Sequence, residues 1–483
     1  MKKALIALAI AVCVLTQAVC CISEEPARTQ YRIDLFMNEK DLSFDVYQSV
    51  YYTNQTGGTL SSVCFSLPAN CFRRESTLPY DNDTLVSAFP NGYAPGGAEI
   101  HQITVNGQNA EWAVSGENEC FLRVGVPLLP GESCEIAFSY TLLLSENNAF
   151  LGVSDTEWRL TGFYPSVSVY EDGDFAANAL TRTGKYHYSE VADFEITVTV
   201  PADYEVAAGS ETTKTATDEK AYVKYAFTLE NAREAALCIS RRFHLKTAVS
   251  ASGVRVYAYG QDRALLSEAA ENAARAIDEM EKMLVPFPRA SLTLVESSHA
   301  GDSLRASGIV LLSKADLADE YEIAGCAAKM YFGELVQPNP AMEGWLIDGM
   351  SEYMSLLYIR NTQGGRAYNK ALNQRLLPAL QLTIPGGLTP VSETYRFQTR
   401  PEYETVVCLR AAAALHEIHL AVGEDNFLSA VREYLSVHAD SQPVSDDFVR
   451  ALNTVTGENR ADTVYSWLYT IGEYANETMY EYD

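Results

Sequence analysis

The chain has 483 residues, more than one compact core usually holds, so two or three domains are expected. Apolar residues make up 47% of the sequence and charged residues 20%, which is typical of a globular protein and excludes an intrinsically disordered chain. The 36 basic and 63 acidic residues give a net charge of −27. Nucleic acids and anionic membrane surfaces need basic patches, so neither is expected as a partner.

Residues 1–21 have the layout of a secretory signal peptide. Lys2 and Lys3 precede an apolar run from Ala4 to Leu15, and small and polar residues follow. The run is short for a membrane span, and no later segment approaches about 18 consecutive apolar residues. We therefore expect a protein that is exported, secreted or associated with the cell envelope, and cleaved near Ala18–Cys21.

A lipid anchor at Cys20 or Cys21 is an open alternative to simple cleavage. The residue before such a cysteine should be Gly, Ala or Ser, whereas here it is Val19 or Cys20. Membrane contact is therefore expected only through such a lipid or an uncleaved signal. The oligomeric state is left open by the sequence.

Seven further cysteines follow the signal region. In an oxidising compartment they could form disulfides, and the nearest in sequence are Cys64 with Cys71 and Cys120 with Cys134. The alternative is that each is a small buried apolar residue. The other three are Cys238, Cys326 and Cys408.

Residues 28–250 are predicted to form an N-terminal β-sandwich. Short runs such as Phe44–Tyr52, Phe194–Val200 and Ala221–Leu229 alternate apolar and polar residues, and turn sequences separate them. Repeated short strands with such punctuation favour two packed antiparallel sheets over alternating strands and helices.

Residues 251–483 are predicted to form a mixed domain that becomes all-helical. Apolar residues recur at helical spacing from Leu266 to Leu284, and two strand-like segments follow, Ser291–Glu296 and Gly308–Leu312. Helices are then expected over 317–335, 345–360, 365–380, 403–422, 424–436 and 445–455.

Two motifs lie on the first two of these helices: Y-E-I-A-G-C-A-A-K-M-Y-F-G-E-L-V and W-L-I-D-G-M-S-E-Y. They resemble the membrane alanyl aminopeptidase (aminopeptidase N) family of gluzincin zinc peptidases, which reads roughly H-E-x-x-H-Q-W-F-G-x-x-V and then W-L-x-E-G-F-A-x-Y. As in that family, 18 residues lie between positions 329 and 348. The shared residues are Phe332–Gly333, Val336, Trp345–Leu346, Gly349 and Tyr353. The resemblance implies a β-sandwich followed by a thermolysin-like α/β domain.

The resemblance also implies that the zinc site has lost its ligands. The two zinc-binding His positions fall on Gly325 and Lys329, the catalytic Glu on Cys326, and the third ligand on Asp348. Glycine cannot ligate, and a protonated lysine repels a metal ion. We expect Lys329 and Asp348 to form a partly buried salt bridge in the vacated space, because an unpaired charge there would be costly. The alternative is that each points to solvent.

Two further catalytic positions of the family are altered. The loop that binds a substrate amine, G-A-M-E-N in the family, falls on residues 302–306, which puts Arg305 at its glutamate. The family's transition-state tyrosine lies on the helix that corresponds to residues 403–422. Aligning the two helices at Leu415–His416 puts that tyrosine at Cys408, but Tyr403 is close enough to leave the alignment open. The pair His416 and His419 has a spacing unlike the family motif, and a structural role is favoured.

Cys326 and Cys408 would flank the same cleft. Packing is the favoured role for both, and the alternatives are a disulfide across the cleft or a reactive thiol at Cys326. Trp345 and Tyr353 are expected to support the cleft.

The sequence therefore predicts an exported protein with an aminopeptidase-type fold, no bound cofactor and no catalysis. Its function would be to bind a peptide or protein in the old cleft or to act as an envelope scaffold. The first alternative is a zinc metallopeptidase with a non-standard site. The second is a hydrolase that depends on Cys326.

Overall fold

The computed structural model describes residues 28–469 except 117–118, 178–179, 181, 184–187 and 302. The predicted signal peptide, with its alternative lipid attachment at Cys20 or Cys21, lies outside these residues.

The first part of the chain is rich in strands, as predicted. In chain order they are β1 (Thr29–Asn38), β2 (Ser43–Thr53), β3 (Leu60–Ser66), β4 (Gly97–Val105), β5 (Gln108–Asn109), β6 (Trp112–Ser115), β7 (Phe121–Leu128), β8 (Ser133–Leu143), β9 (Leu151–Val153), β10 (Trp158–Leu160), β11 (Ser166–Val167), β12 (Tyr170–Glu171), β13 (Asp174–Phe175), β14 (Ala192–Pro201), β15 (Glu205–Ala208), β16 (Thr213–Ala216), β17 (Tyr222–Ala232) and β18 (Leu237–Ser240).

These strands form a β-sandwich around one apolar core. An eight-stranded sheet has the order β16-β17-β14-β1-β2-β8-β4-β5, and two four-stranded sheets have the orders β15-β18-β10-β9 and β11-β3-β7-β6. In β1, Tyr31, Ile33 and Leu35 are buried and the residues between them face outward. Because buried and outward-facing residues alternate along the strand, one face of the large sheet packs against the core.

The segment between β3 and β4 is helical, which the sequence analysis did not predict. It contains a 3₁₀ turn, Pro68–Arg73, a shorter one, Glu75–Thr77, and one α-helix, α1 (Asn82–Ala88). The Asp81 side chain accepts a hydrogen bond from the Thr84 N–H and so caps α1.

The second domain begins with a five-stranded sheet. Its strands are β19 (His244–Val249), β20 (Arg255–Gly260), β21 (Ser291–Glu296), β22 (Leu304–Ala306) and β23 (Ile309–Leu312), in the order β19-β20-β21-β23-β22. β19 pairs with β20, so this strand, which the sequence analysis placed in the first domain, belongs to the second. β22 is the antiparallel edge strand of this sheet.

Helices complete the second domain. They are α2 (Arg263–Met283), α3 (Lys314–Leu317), α4 (Glu320–Met330), α5 (Met350–Gln363), α6 (Gly365–Gln381), α7 (Arg400–Tyr403), α8 (Ala411–Val422), α9 (Glu424–Val437), α10 (Ser445–Thr456) and α11 (Ala461–Tyr469), with 3₁₀ turns at Pro385–Gly387 and Thr394–Arg396. The predicted apolar stripe of α2 is buried, and the Asp262 carboxylate caps this helix. The predicted fold class, a β-sandwich followed by an α/β domain that ends all-helical, is confirmed.

Three wide helical turns interrupt the helices around the cleft. Tyr331–Leu335 follows α4, Trp345–Gly349 precedes α5, and Glu404–Arg410 joins α7 to α8, each in a π-helical conformation. Such turns contain an extra residue per turn and occur frequently at functional sites.

The helical stretch Arg400–Val422 is long and apolar enough to span a membrane by length and composition. Its most apolar part is 67% buried inside the protein. This burial explains the apolar composition of the stretch, which packs in the protein core.

A buried ion pair links the two domains. Arg159 Nη1 lies 2.6 Å from Glu157 Oε1, and the two side chains are 0% and 1% exposed. Glu157 also accepts hydrogen bonds from the Ser297 hydroxyl and the Ser298 N–H of the second domain. Burial alone would raise the pKa of Glu157, but Arg159 and hydrogen bonds from Thr156 and Ser298 lower it to about 2.

Replacing Glu157 with Gln should destabilise the protein by about 3–5 kcal/mol, because the buried Arg159 charge loses its counter-charge. Chemical denaturation at neutral pH measures this loss. The matched control is Glu195→Gln. It breaks the exposed ion pair between Glu195 and Arg32, whose side chains are 56% and 64% exposed, and should leave the stability almost unchanged. Equal losses in the two variants would contradict the assignment.

Candidate active-site cleft

A cleft of about 200 Å³ opens between the helices of the second domain. Its walls come from α4, α5, α6 and the wide turns before α5 and after α7. The residues that line it are Ser303, Leu312, Asp316, Tyr321, Glu322, Gly325, Cys326, Lys329, Asp348, Ser351, Glu352, Ser355, Arg375, Tyr403, Glu404 and Cys408.

The structure brings the three expected metal-ligand positions to this cleft. Gly325 and Lys329 lie one turn apart on α4, and Asp348 lies on the wide turn before α5. Lys329 Nζ is 3.9 Å from Asp348 Oδ1, and the side chains are 23% and 6% exposed. The ion pair predicted from the sequence is thus present, at a separation too long for a hydrogen bond.

Lys329 is a cation at neutral pH. Burial lowers the pKa of its ammonium, but Asp348 and Glu322 raise it more, and the net shift is upward. Within the part of the chain that the structure describes, its Nζ donates no hydrogen bond. The ammonium therefore has N–H donors available on the cleft side.

A tyrosine, rather than a cysteine, reaches the Asp348 carboxylate. The Tyr403 hydroxyl donates a 2.6 Å hydrogen bond to Asp348 Oδ2. Burial and this carboxylate raise the pKa of Tyr403, so the hydroxyl keeps its proton. The anchoring on Leu415–His416 had put the tyrosine position at Cys408 and left the register open at Tyr403, and the hydrogen bond to Asp348 favours Tyr403. Tyr403 is the residue at the site, and Cys408 lines the cleft beside it.

A second ion cluster occupies the outer part of the cleft. Arg375 Nε lies 2.7 Å from Glu352 Oε1, and Arg375 Nη1 lies 3.5 Å from Glu322 Oε1. The guanidinium also stacks 4.2 Å from the centre of the Tyr321 ring, and the Tyr321 hydroxyl donates to Glu352. Burial raises the pKa of Glu322, which Arg375 offsets in part.

The sequence analysis missed these residues, although part of the signal was present. Glu322 precedes Gly325 by three residues and Glu352 follows Asp348 by four, so helical spacing puts each beside a recognised position. Arg375 lies on a later helix, and no local pattern marks it.

Arg305 points away from the cleft. Its Nη1 donates to Glu334 Oε1 at 2.5 Å and to the Gly333 carbonyl at 2.9 Å. A Cβ at position 333 would lie 2.7 Å from the Arg305 guanidinium carbon, so this contact requires glycine. Arg305 is not among the residues that line the cleft, and its charge binds the turn after α4. Ser303 lines the cleft instead.

Cys326 is not placed as a nucleophile. Cys326 is 2% exposed, and burial raises the pKa of its thiol to about 12. A thiol with that pKa supplies almost no thiolate at neutral pH. The seven cysteines that the structure describes are thiols, and this geometry favours packing for Cys326.

Trp345 and Tyr353 support the site from the core and do not line the cleft. The Trp345 indole is fully buried and donates to Ser445 Oγ at 2.9 Å. The Tyr353 hydroxyl lies 2.6 Å from His419 Nδ1. Gly349 belongs to the same support, because a Cβ there would lie 2.5 Å from the Ala411 side chain.

The pair His416 and His419 has the structural role that was favoured. Both rings are buried, and His416 Nδ1 lies 3.0 Å from the Tyr368 hydroxyl. Burial lowers the pKa of each imidazole to about 4, so both are neutral at pH 7.

The residues at the former metal position do not fit zinc. Gly325 offers no ligand atom, the Lys329 ammonium carries positive charge, and the Asp348 carboxylate already accepts from Tyr403. Among the described residues, no group of three or more His, Cys, Asp and Glu side chains is placed to hold a metal ion. No zinc-dependent step can be derived from these side chains.

The helical part of the second domain resembles a known family of peptidases. Residues 322–467 match the family model described as "Peptidase family M1 domain". The family resemblance stated from the sequence motifs is thereby confirmed. No curated protein matches the chain.

Solved structures extend the likeness of fold to nearly the whole chain. An M1 zinc metallopeptidase from Deinococcus radiodurans is 17% identical, with a TM-score of 0.66 over 92% of this chain and 94% of that one. A mutant of that enzyme bound to a Tyr-Ser-Ala substrate gives the same identity and TM-score, with 92% and 95% coverage. A two-domain M1 zinc metallopeptidase mutant bound to L-tryptophan is 16% identical, with a TM-score of 0.65 and 92% and 94% coverage.

Replacing Lys329 with Met should destabilise the protein by about 1–3 kcal/mol. The Asp348 carboxylate would then keep its hydrogen bond from Tyr403 but lose its counter-charge. Chemical denaturation measures the loss. In the double variant Lys329→Met/Asp348→Asn the loss should be smaller than the sum of the two single losses. Strictly additive losses would mean that the two charges do not interact.

Restoring the family's four residues should create a zinc site. The variant Gly325→His/Cys326→Glu/Lys329→His/Asp348→Glu supplies three ligands and the general base, and a Cβ at position 325 would meet Ser355 Oγ at a tolerable 3.2 Å. Elemental analysis should find about one zinc per chain.

The matched control keeps Lys329 and carries the other three changes, and it should bind no stoichiometric zinc. A folded four-residue variant without zinc would show that these positions do not converge as described.

Proposed function

We propose that this protein is exported and binds a peptide or protein ligand in its cleft without hydrolysing it. The observation that carries the proposal is the pairing of Lys329 with Asp348 where the family holds zinc. An ammonium cannot lower the pKa of a bound water as zinc does, so the reaction loses its nucleophile. The predicted signal peptide in residues 1–21 supports export.

The cleft retains features that suit a ligand. The Lys329 ammonium has N–H donors on the cleft side and can donate to a backbone carbonyl of a peptide. β22 is the edge strand of its sheet, and Ser303 next to it lines the cleft. An extended peptide can pair with such an edge through main-chain hydrogen bonds.

The charge of the cleft indicates which class of peptide is expected to bind. Its five carboxylates are those of Asp316, Glu322, Asp348, Glu352 and Glu404, against the two cations Lys329 and Arg375. A neutral or cationic peptide is therefore favoured over an acidic one.

A zinc peptidase with a non-standard site is the competing function, and the family match supports it. It would need new ligands near position 329. Glu322 and Glu352 line the same cleft as the pair, but both are engaged by Arg375. An envelope scaffold, which needs no ligand in the cleft, is the second competitor.

The test uses the tripeptide Tyr-Ser-Ala and the purified full chain. Calorimetry should detect binding by the wild type, chromatography should detect no released tyrosine, and elemental analysis should find no stoichiometric zinc. Lys329→Met should weaken the affinity at least about tenfold, because it removes the cleft ammonium. The matched control, Lys314→Met, changes an exposed lysine outside the cleft and should leave the affinity unchanged.

Chelator-sensitive release of tyrosine, or one zinc per chain, would establish the competing peptidase. Failure of Tyr-Ser-Ala and of a basic tripeptide such as Lys-Ser-Ala to bind the wild type would favour the scaffold.

A further inference from the structure

Two cysteines that are distant in sequence meet in the core of the first domain. Cys71 lies in the 3₁₀ turn Pro68–Arg73, and Cys120 directly precedes β7. Both side chains are buried. They do not belong to the cleft, and the proposed function does not use them.

Backbone hydrogen bonds hold the two cysteines against each other. The Leu67 N–H donates to the Cys120 carbonyl at 2.7 Å, and the Cys120 thiol donates to the Pro68 carbonyl at 3.9 Å. The Cys71 N–H in turn donates to Cys120 Sγ. The Cys120 sulfur is therefore within hydrogen-bond reach of the Cys71 backbone.

Side chains fix the same two segments from the outside. Asn70 Nδ2 donates to the Glu119 carbonyl at 3.0 Å. The guanidinium groups of Arg73 and Arg74 bind the two carboxylate oxygens of Glu119 at 2.6 and 3.0 Å. Several contacts, and not one alone, therefore hold the segments of Cys71 and Cys120 together.

We propose that Cys71 and Cys120 form a disulfide when the chain folds in an oxidising compartment. Because Cys120 Sγ contacts the backbone of Cys71 itself, the two thiols belong to residues that adjoin in space, as an S–S bond of about 2.05 Å requires. This pairing replaces the two pairs of sequence neighbours considered above. Cys64 instead lies beside Ser168 and Arg123, and Cys134 lies in β8 opposite Tyr52.

The reaction is a two-electron oxidation by thiol–disulfide exchange. The two cysteine thiols lose two protons and two electrons and form the S–S bond, while a disulfide oxidant, such as oxidised glutathione, is reduced to two thiols. Burial raises the pKa of Cys120 to about 12 and that of Cys71 well above its usual value, so thiolate is scarce once the domain is folded. The bond therefore forms during folding, before the sulfurs are buried.

The disulfide closes a loop that contains α1 and β4–β6. Such a cross-link stabilises the folded domain mainly by restricting its unfolded chain. Its expected effect on the melting temperature is an increase of roughly 5–10 °C.

The test compares two preparations of the full chain, refolded from denaturant either with a reduced and oxidised glutathione mixture or with reductant alone. Remaining thiols are alkylated, and peptides are mapped without reduction. The oxidised preparation should yield one cross-linked peptide pair, which joins Cys71 to Cys120, and should melt roughly 5–10 °C higher than the reduced preparation.

Two variants complete the test. Cys64→Ala/Cys134→Ala should keep the cross-link, whereas Cys71→Ala/Cys120→Ala should yield none and show the same melting temperature under both refolding conditions. Recovery of both wild-type cysteines as alkylated thiols, or in other pairings, overturns the proposal. The wild-type map decides the question even if the second variant does not fold.

Discussion

The organisation of the cleft depends on how the buried carboxylate of Asp348 is neutralised. In a zinc peptidase of this type a divalent cation does so, and three helical segments converge on it. Here the Lys329 ammonium approaches one carboxylate oxygen and the Tyr403 hydroxyl donates to the other. Because these partners come from α4 and α7, the carboxylate joins both helices to the turn before α5 at the wall of the cleft.

The residues that the chain shares with the family explain why the fold could be predicted. Gly333, Gly349 and Trp345 are needed where backbone or ring atoms are in close contact, and that requirement is independent of catalysis. The positions around Gly325 and Lys329 could be predicted as well, since residues one turn apart on a helix share a face. Motif residues with packing roles were therefore informative about structure, whereas their catalytic neighbours had changed.

The features that the sequence could not predict arise from long-range geometry. The hydrogen bond from Tyr403 to Asp348 joins residues that are 55 apart in sequence, so a register anchored on Leu415–His416 alone could not decide between Tyr403 and Cys408. The direction of Arg305 depends on Glu334, and that of Arg375 on two other helices. No local pattern encodes contacts of this kind.

The wide turn between Tyr403 and Ala411 also separates two functions of one continuous helical stretch. Ala411 is seated against Gly349, while Tyr403 faces Asp348. Loss of a single residue within the turn would rotate one of these contacts relative to the other by about 100° around the helix axis. Insertions and deletions there, and not only side-chain replacements, are therefore a route by which relatives of this protein can diverge in the shape of the cleft while the surrounding core is conserved.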